Sequence, residues 1–458
     1  MIELDGKRSI HFIGIGGISM SGLARIMLSR GHIVTGSDAK SSSITEKLKK
    51  IGAKIYIGHA QENVKSADLV VYTAAIGHDN LEYKGALDLG IPMMERSEFL
   101  GYIMKEYKYS INVSGTHGKT TTTSMISSIA LEANLDPTIH IGGELDKIGG
   151  NTLVGGNRYF ITEACEYVGS FLKFYPYMAV VLNIEEDHLD YFSGIEDIKD
   201  TFHKFISLVP KDGYVVGYLD DENVRDVLER GVLCENVITY SIDNEKAKWR
   251  AVDIEFDAIG CGSFTLLRDN EPYCEINLSV IGRHNILNAL AACCVSFEMG
   301  IDKDTVRKAL RDFRGAHRRF EYKGEKNGVK VVDDYAHHPS EIKATLEASK
   351  RGNINKEWCV FQPHTYTRTK ALMDKFSEAF YNADNVIVTD IYAAREKDTG
   401  EVNASMLVEK LRENDVNAVY IKSFDEIVDY LEKNVEENDL ILTMGAGDVY
   451  RVGEKYLT

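Results

Sequence analysis

The run Gly115-Thr116-His117-Gly118-Lys119-Thr120-Thr121 has the residue types and spacing of a loop that holds phosphate. A strand is predicted just before it (110–113) and a long helix after it, to about residue 133. In that setting backbone N–H groups point at the phosphate and the helix dipole adds positive potential. The glycines let the backbone approach closely, Lys119 reaches the β/γ-phosphates, and the Thr120 hydroxyl meets Mg²⁺. Val113 stands where the general pattern has glycine, so the loop is a variant. Glu163 ends a predicted strand (159–162), and His188 and Asp190 follow another (178–183). If both run parallel beside the phosphate loop, their carboxyl ends share the ligand-binding edge of one sheet. Thr120, Glu163 and His188 are then the expected metal ligands, although Mg²⁺ prefers oxygen donors and a neutral imidazole is a less usual partner.

Gly14-x-Gly16-Gly17, with Asp38 closing the next predicted strand, resembles a dinucleotide fingerprint in which Ser19 replaces the third glycine. Asp38 is placed to read a ribose hydroxyl; a nucleotide diphosphate fits as well as NAD, and a tight turn with no ligand is the alternative. Farther on, three polar stretches each close a predicted strand: Asp333-Asp334-Tyr335-Ala-His337-His338-Pro339, Gln362-Pro-His364-Thr365-Tyr366-Thr367-Arg368 and Gly445-Ala-Gly447-Asp448. They predict one shared site facing the phosphate loop. For His338 and His364 a structural hydrogen bond near a helix start is the competing reading.

The elements that must position these residues alternate between β-rich apolar runs and helical patterns, the mark of α/β layers. Three blocks follow: 1–107, a small doubly wound unit; 108–314, built on the phosphate loop; and 315–458, a second mostly parallel sheet. Within the middle block, short alternating segments between 213 and 281 predict a local antiparallel sheet. The 458 residues agree with about three domains. With 53 basic and 70 acidic residues the formal charge is −17, which disfavours a nucleic-acid binder. No apolar run reaches membrane-helix length, and the first residues lack the pattern of a signal peptide. Seven cysteines, with no CxxC pair and two adjacent, read as reduced thiols of a cytoplasmic protein.

Taken together these motifs resemble the Mur ligase family, ATP-dependent amide-forming enzymes of peptidoglycan assembly, over essentially the whole chain. Gly282-Arg-His284-Asn285-x-x-Asn288 resembles the family's nucleotide-binding helix start, and Arg314-Gly-Ala-His-Arg318-Arg319 its junction to the third domain, where arginines face the phosphates. The resemblance implies a Rossmann-like N-terminal domain for a UDP-sugar, a P-loop central α/β domain for ATP and Mg²⁺, and a Rossmann-like C-terminal domain for the amino acid. It assigns nucleotide contacts to the phosphate loop, Asn285, Asn288, Arg318, Arg319 and Asp334. Gly14, Gly16, Gly17 and Asp38 would meet the UDP-sugar, and Tyr335, His337 and Arg368 the amine substrate. Lys119, Glu163, His188 and His337 are the implied catalytic set. The stretches 334–339, 361–369 and Asp390-Ile-Tyr392-Ala-Ala-Arg395-Glu396 resemble the family branch that takes UDP-N-acetylmuramate and L-alanine. A sibling branch that adds a recycled tripeptide shares Ala-His-His-Pro but not Gln-Pro-His-x-Tyr-x-Arg. Many members carry Arg where this chain has Thr365, and several carry a carbamylated lysine at the position matched by Phe202. The expected form is a monomer or homodimer. The readings from other classes are a nicotinamide-dependent oxidoreductase built on Gly14-x-Gly16-Gly17 and a non-catalytic nucleotide-gated binding protein.

Overall fold

The computed structural model describes residues 6, 8–350, 354–394 and 396–458, and they form three α/β units in sequence order. The first holds five parallel strands in the spatial order Lys54–Ile57, Ile33–Asp38, Ser9–Ile13, Leu69–Tyr72, Met93–Glu95. Ser9–Ile13 lies at its centre because Ile10, Phe12 and Ile13 are apolar on both faces and fully buried. This strand ends at Ile13, since Gly14 turns the chain away at φ 81°.

Beneath this sheet edge lies a buried polar network that the sequence did not announce. Glu82 is wholly buried and accepts hydrogen bonds from Ser37, from Asn63 at 2.5 Å and from His59 at 2.9 Å. Burial disfavours its charge, but bonds from His11, Ser37, Asn63 and His59 outweigh that and hold its pKa down at about 2. A depressed carboxylate pKa stabilises the fold above the ordinary value of 4.5, and the benefit is lost as pH falls toward 2. Urea unfolding of Glu82→Gln should therefore show a large deficit against wild type at pH 7 that narrows at pH 3.5. A deficit independent of pH would contradict this assignment.

The central unit is one ten-stranded sheet. Tyr109–Ser114 sits between Tyr159–Glu163 and Met178–Val181, parallel to both, as the phosphate-loop reading requires. The predicted local antiparallel sheet is corrected in two ways. Tyr214–Tyr218 and Asn236–Ser241 pair parallel and extend the main sheet, whereas Trp249–Phe256, Cys261–Arg268 and Glu271–Ile281 pair antiparallel with one another, continuing the same sheet. Alternating polarity reports one-sided burial, not strand direction. The helix Glu222–Glu229 between the first two supplies the crossover that parallel pairing needs. Phe202 lies fully buried against Phe171, with ring centroids 5.3 Å apart, so this position is part of the core.

The C-terminal unit has six strands in the order Glu321–Lys326, Val329–Asp334, Leu440–Met444, Glu357–Phe361, Asn385–Val388, Ala418–Tyr420, parallel except for the first. Two short helices, Tyr366–Ala371 and Met373–Ser377, follow the Gln362–Thr365 stretch. The seven cysteines are all free thiols. Among the described residues no helix is long and apolar enough to cross a membrane.

Candidate active site

Strand Tyr109–Ser114 runs into the loop and helix Lys119–Glu132 follows at once. Gly115 and Gly118 take φ of 139° and 80°, and a Cβ on Gly118 would sit 2.5 Å from Asn288 Oδ1, so glycine is required there. Because the flanking strands are parallel, Glu163 ends at the same edge. The Thr120 hydroxyl donates to Glu163 Oε2 at 3.1 Å, and Gly142 N–H holds Glu163 Oε1 at 2.7 Å. A hydroxyl and a carboxylate oxygen meeting at a helix start form a donor set suited to Mg²⁺. Lys119 Nζ lies 3.2 Å from Glu166, a buried partner absent from the sequence reading. Burial opposes the Lys119 charge, but the Glu166 carboxylate more than compensates and raises its pKa.

His188, predicted as a third metal ligand, adopts φ 54° and rests its ring on Tyr167 at 4.4 Å. It makes no hydrogen bond to Thr120 or Glu163 among the described residues. Burial lowers its pKa against the opposing pull of Asp187 and Glu166, so it is a neutral imidazole. Asp190 accepts a hydrogen bond from Tyr167 at 2.9 Å.

A cavity of about 300 Å³ opens between the central and C-terminal units. His117, Gly118, Thr121, Asn285, Asn288, Arg319 and Asp334, all predicted nucleotide contacts, line it. Asn288 Oδ1 accepts from Thr122 at 3.2 Å and its amide donates to Asn285 at 3.0 Å, which ties the second helix start to the loop. Arg319 Nη2 donates to Thr120 Oγ1 at 3.3 Å. Both oxygens of Asp334 accept backbone N–H groups at 2.7 Å, yet burial pushes its pKa up to about 6. Tyr218 and Tyr240 supply aromatic wall to this cavity that the sequence reading did not name.

Arg318 corrects the expectation that both junction arginines face the phosphates. It bonds Asp333 at 2.9 Å and the carbonyls of Gly447 and Gly445 at 3.0 and 2.6 Å, so all three nitrogens fasten the C-terminal unit. The Gly445–Asp448 stretch likewise braces its neighbour, with the Asp448 N–H donating to Gln362 at 2.9 Å. Of the three polar stretches predicted to share one site, this one is structural.

A second cavity, about 450 Å³, is lined by Asp187, His188, Asp190, His364, Thr365 and Arg368. Arg368 grips Asp187 with two bonds of 2.9 and 3.1 Å across the two units, and both side chains are more than nine-tenths buried. His337 sits beside His364, with ring centroids 5.9 Å apart, and burial lowers its pKa to about 4. Tyr335 lies under the guanidinium groups of Arg318 and Arg319 at 4.9 and 5.1 Å. Arg395 falls outside the described residues.

In the N-terminal unit the glycine turn closes on itself. Gly14 and Ile15 N–H groups donate to the Ser37 carbonyl at 2.9 Å, and Gly16 N–H donates to Asp38 Oδ2 at 2.9 Å. Asp38, expected to read a ribose, thus fastens the turn through one carboxylate oxygen. A Cβ on Gly17 would meet only ordinary contacts. Ser19, in the third-glycine position, bonds His140 of the central unit at 2.9 Å and so joins two units.

Three family models match: the Mur ligase family catalytic domain over residues 9–108, the Mur ligase middle domain over 113–296 and the Mur ligase glutamate ligase domain over 318–447. The UDP-N-acetylmuramate–L-alanine ligase of Acetivibrio thermocellus is 60% identical over 457 residues, covering 100% of this chain and 97% of that protein. Its counterpart from Caldanaerobacter subterraneus subsp. tengcongensis is 55% identical, covering 100% and 98%. Among solved structures, the UDP-N-acetylmuramate-alanine ligase of Thermotoga maritima superposes with a TM-score of 0.83 at 29% identity, over 98% of each chain. A murein peptide ligase from Psychrobacter arcticus gives 0.75 at 26%, also over 98% of each.

Proposed function

Because this chain belongs to the Mur ligase family, whose members are ATP-dependent ligases, we infer that it joins L-alanine to the carboxylate of UDP-N-acetylmuramate in peptidoglycan precursor synthesis. ADP and phosphate are the other products. The observation that carries this reading is the full-length likeness to alanine-adding ligases, with Arg368 held beside the residues that follow the phosphate-loop edge. The UDP-sugar is assigned to residues 1–107, ATP to 108–314 and alanine to 315–458.

A muramate carboxylate oxygen attacks the γ-phosphorus and the β–γ bond breaks, giving an acyl phosphate and ADP. The alanine amine then attacks the acyl carbon, loses a proton, and phosphate leaves with the original carboxylate oxygen. The physical difficulty is bringing three anions together. Lys119 and Arg319 supply fixed positive charge at the transferring group, and Glu166 holds the Lys119 ammonium in place. Thr120 and Glu163 would hold Mg²⁺, which neutralises phosphoryl charge when bound. Arg368, whose Nη1 contacts His364 at 3.2 Å while its other nitrogens hold Asp187, gives up the His364 contact to meet the alanine carboxylate, with Tyr335 and the neutral His337 positioning the amine.

Carboxylate activation has an isotopic signature. With ¹⁸O in the muramate carboxylate, one labelled oxygen should appear in the released phosphate. Label confined to the peptide product would exclude the acyl phosphate. For Glu163→Gln, a shift of the Mg²⁺ titration to higher concentration is expected, since a charged oxygen donor is lost. An unchanged titration would remove Glu163 from the metal site.

A further inference from the structure

His117, Glu185 and His338 each direct one ligand atom into a space where all such atoms lie within 4.8 Å of one another. His117 belongs to the phosphate loop and Glu185 follows strand Met178–Val181, whereas His338 caps the helix Pro339–Ser349 of the C-terminal unit. The remaining nitrogen of each imidazole is already committed. The Glu186 carbonyl can only accept, so His338 Nε2 donates to it at 3.1 Å; the Nδ1 lone pair, 3.9 Å from Glu185 Oε2, accepts only a long 3.4 Å bond from the Ser340 N–H, which an ion would displace. His117 Nδ1 faces Glu341 Oε1 at 3.4 Å and its buried Nε2 points at Glu185 Oε1, 3.5 Å away; the two carboxylates raise its pKa to about 9, so an ion bound at Nε2 takes the place of a proton.

Histidines that ligate metals characteristically give their second N–H to a carboxylate or a carbonyl, which fixes the tautomer and ring orientation. Both histidines here have that support, from different residues and different units. Tetrahedral Zn²⁺ ligands stand about 3.3 Å apart, so these atoms, within 4.8 Å of one another, draw together when an ion binds. We propose that His117, Glu185 and His338 form a binding site for a borderline divalent ion of the Zn²⁺ class, joining the central and C-terminal units. Two imidazole nitrogens with one carboxylate select such an ion over Mg²⁺, so this site is chemically distinct from the oxygen pair of Thr120 and Glu163. Ser340, whose hydroxyl bonds Glu185, or a water completes the fourth position. An ion there ties the phosphate loop to the opposing unit and holds the cleft in one closure state.

The test titrates the metal-free full-length chain with Co²⁺ in excess Mg²⁺ and follows visible absorption. The intense spectrum of four-coordinate Co²⁺ should saturate at one ion per chain, without the near-ultraviolet thiolate band that cysteine ligation gives. Glu185→Gln and His338→Gln should each abolish it, and Glu341→Gln should weaken affinity about 10–100-fold by removing outer support. The Glu185 side chain is 38% exposed, so its substitution leaves the fold intact, verified by an unchanged unfolding midpoint. A weak six-coordinate spectrum, a dominant thiolate band, or wild-type binding by Glu185→Gln would overturn the site.

Discussion

Lys119→Ala is expected to reduce turnover by roughly 10³-fold or more, the largest loss of any single substitution considered. The lysine is rooted in the phosphate loop itself, and Glu166 holds it at 3.2 Å beneath the loop carbonyls. Its loss removes charge where three anions must meet. It also strands Glu166, whose side chain is 4% exposed, so part of any damage would be structural. The double variant Lys119→Ala/Glu166→Gln separates the two effects, because a neutral amide needs no counter-charge. Stability should return in the double variant while activity stays lost. Near-normal phosphate release from Lys119→Ala would remove the loop from the chemistry.

Arg368→Ala should follow closely, and its effect also divides in two. Removing one member of a buried, doubly bonded pair costs about 3–5 kcal/mol because Asp187 keeps the His188 backbone N–H at 2.8 Å but loses its counter-charge. Asp187 then sits beside the cavity meant for a carboxylate, where it repels the substrate it should help admit. The KM for L-alanine should rise at least about tenfold, with a smaller effect on the KM for ATP. Asp187→Asn/Arg368→Leu should recover most of the stability but not the alanine affinity. If the double variant also recovered normal alanine KM, Arg368 would be a tie between units and nothing more.

The phosphate loop, its flanking strand and helix, and the edge position of Glu163 were legible because they depend on local pattern and on one topological rule. The nucleotide cavity was legible for a related reason. Asn285 and Asn288 stand in the first turns of a helix, Asp334 ends a strand and Arg319 lies in the turn before another, positions where side chains meet ligands. What stayed hidden was pairing. Nothing in the types of Glu166, Asp187, Glu185 or Glu341 says which cation each holds, since those partners come from other elements, the farthest 224 residues away in sequence. Arg318 and Arg319 are adjacent and identical in type, yet only Arg319 lines the cavity, because φ 59° at Arg318 directs its side chain back onto Asp333 and the Gly445 loop. Strand direction in 214–241 was hidden for a different reason: alternation fixes faces, and the helix between two strands fixes their sense.

The Gly14 turn shows the same limit from the other side. Its fingerprint is local and real, but Asp38 is engaged in holding it shut. The feature that suggested a nicotinamide cofactor is therefore satisfied within the fold, while the two cavities described lie at the phosphate loop and beside Arg368.

The most direct measurement of the central claim is phosphate release with UDP-N-acetylmuramate, ATP and Mg²⁺ in the presence of each candidate amine. Release should require all three components together with L-alanine, and the recycled tripeptide should not support it. Release driven by the tripeptide and not by L-alanine, or ATP binding with no release for any amine, would contradict the account.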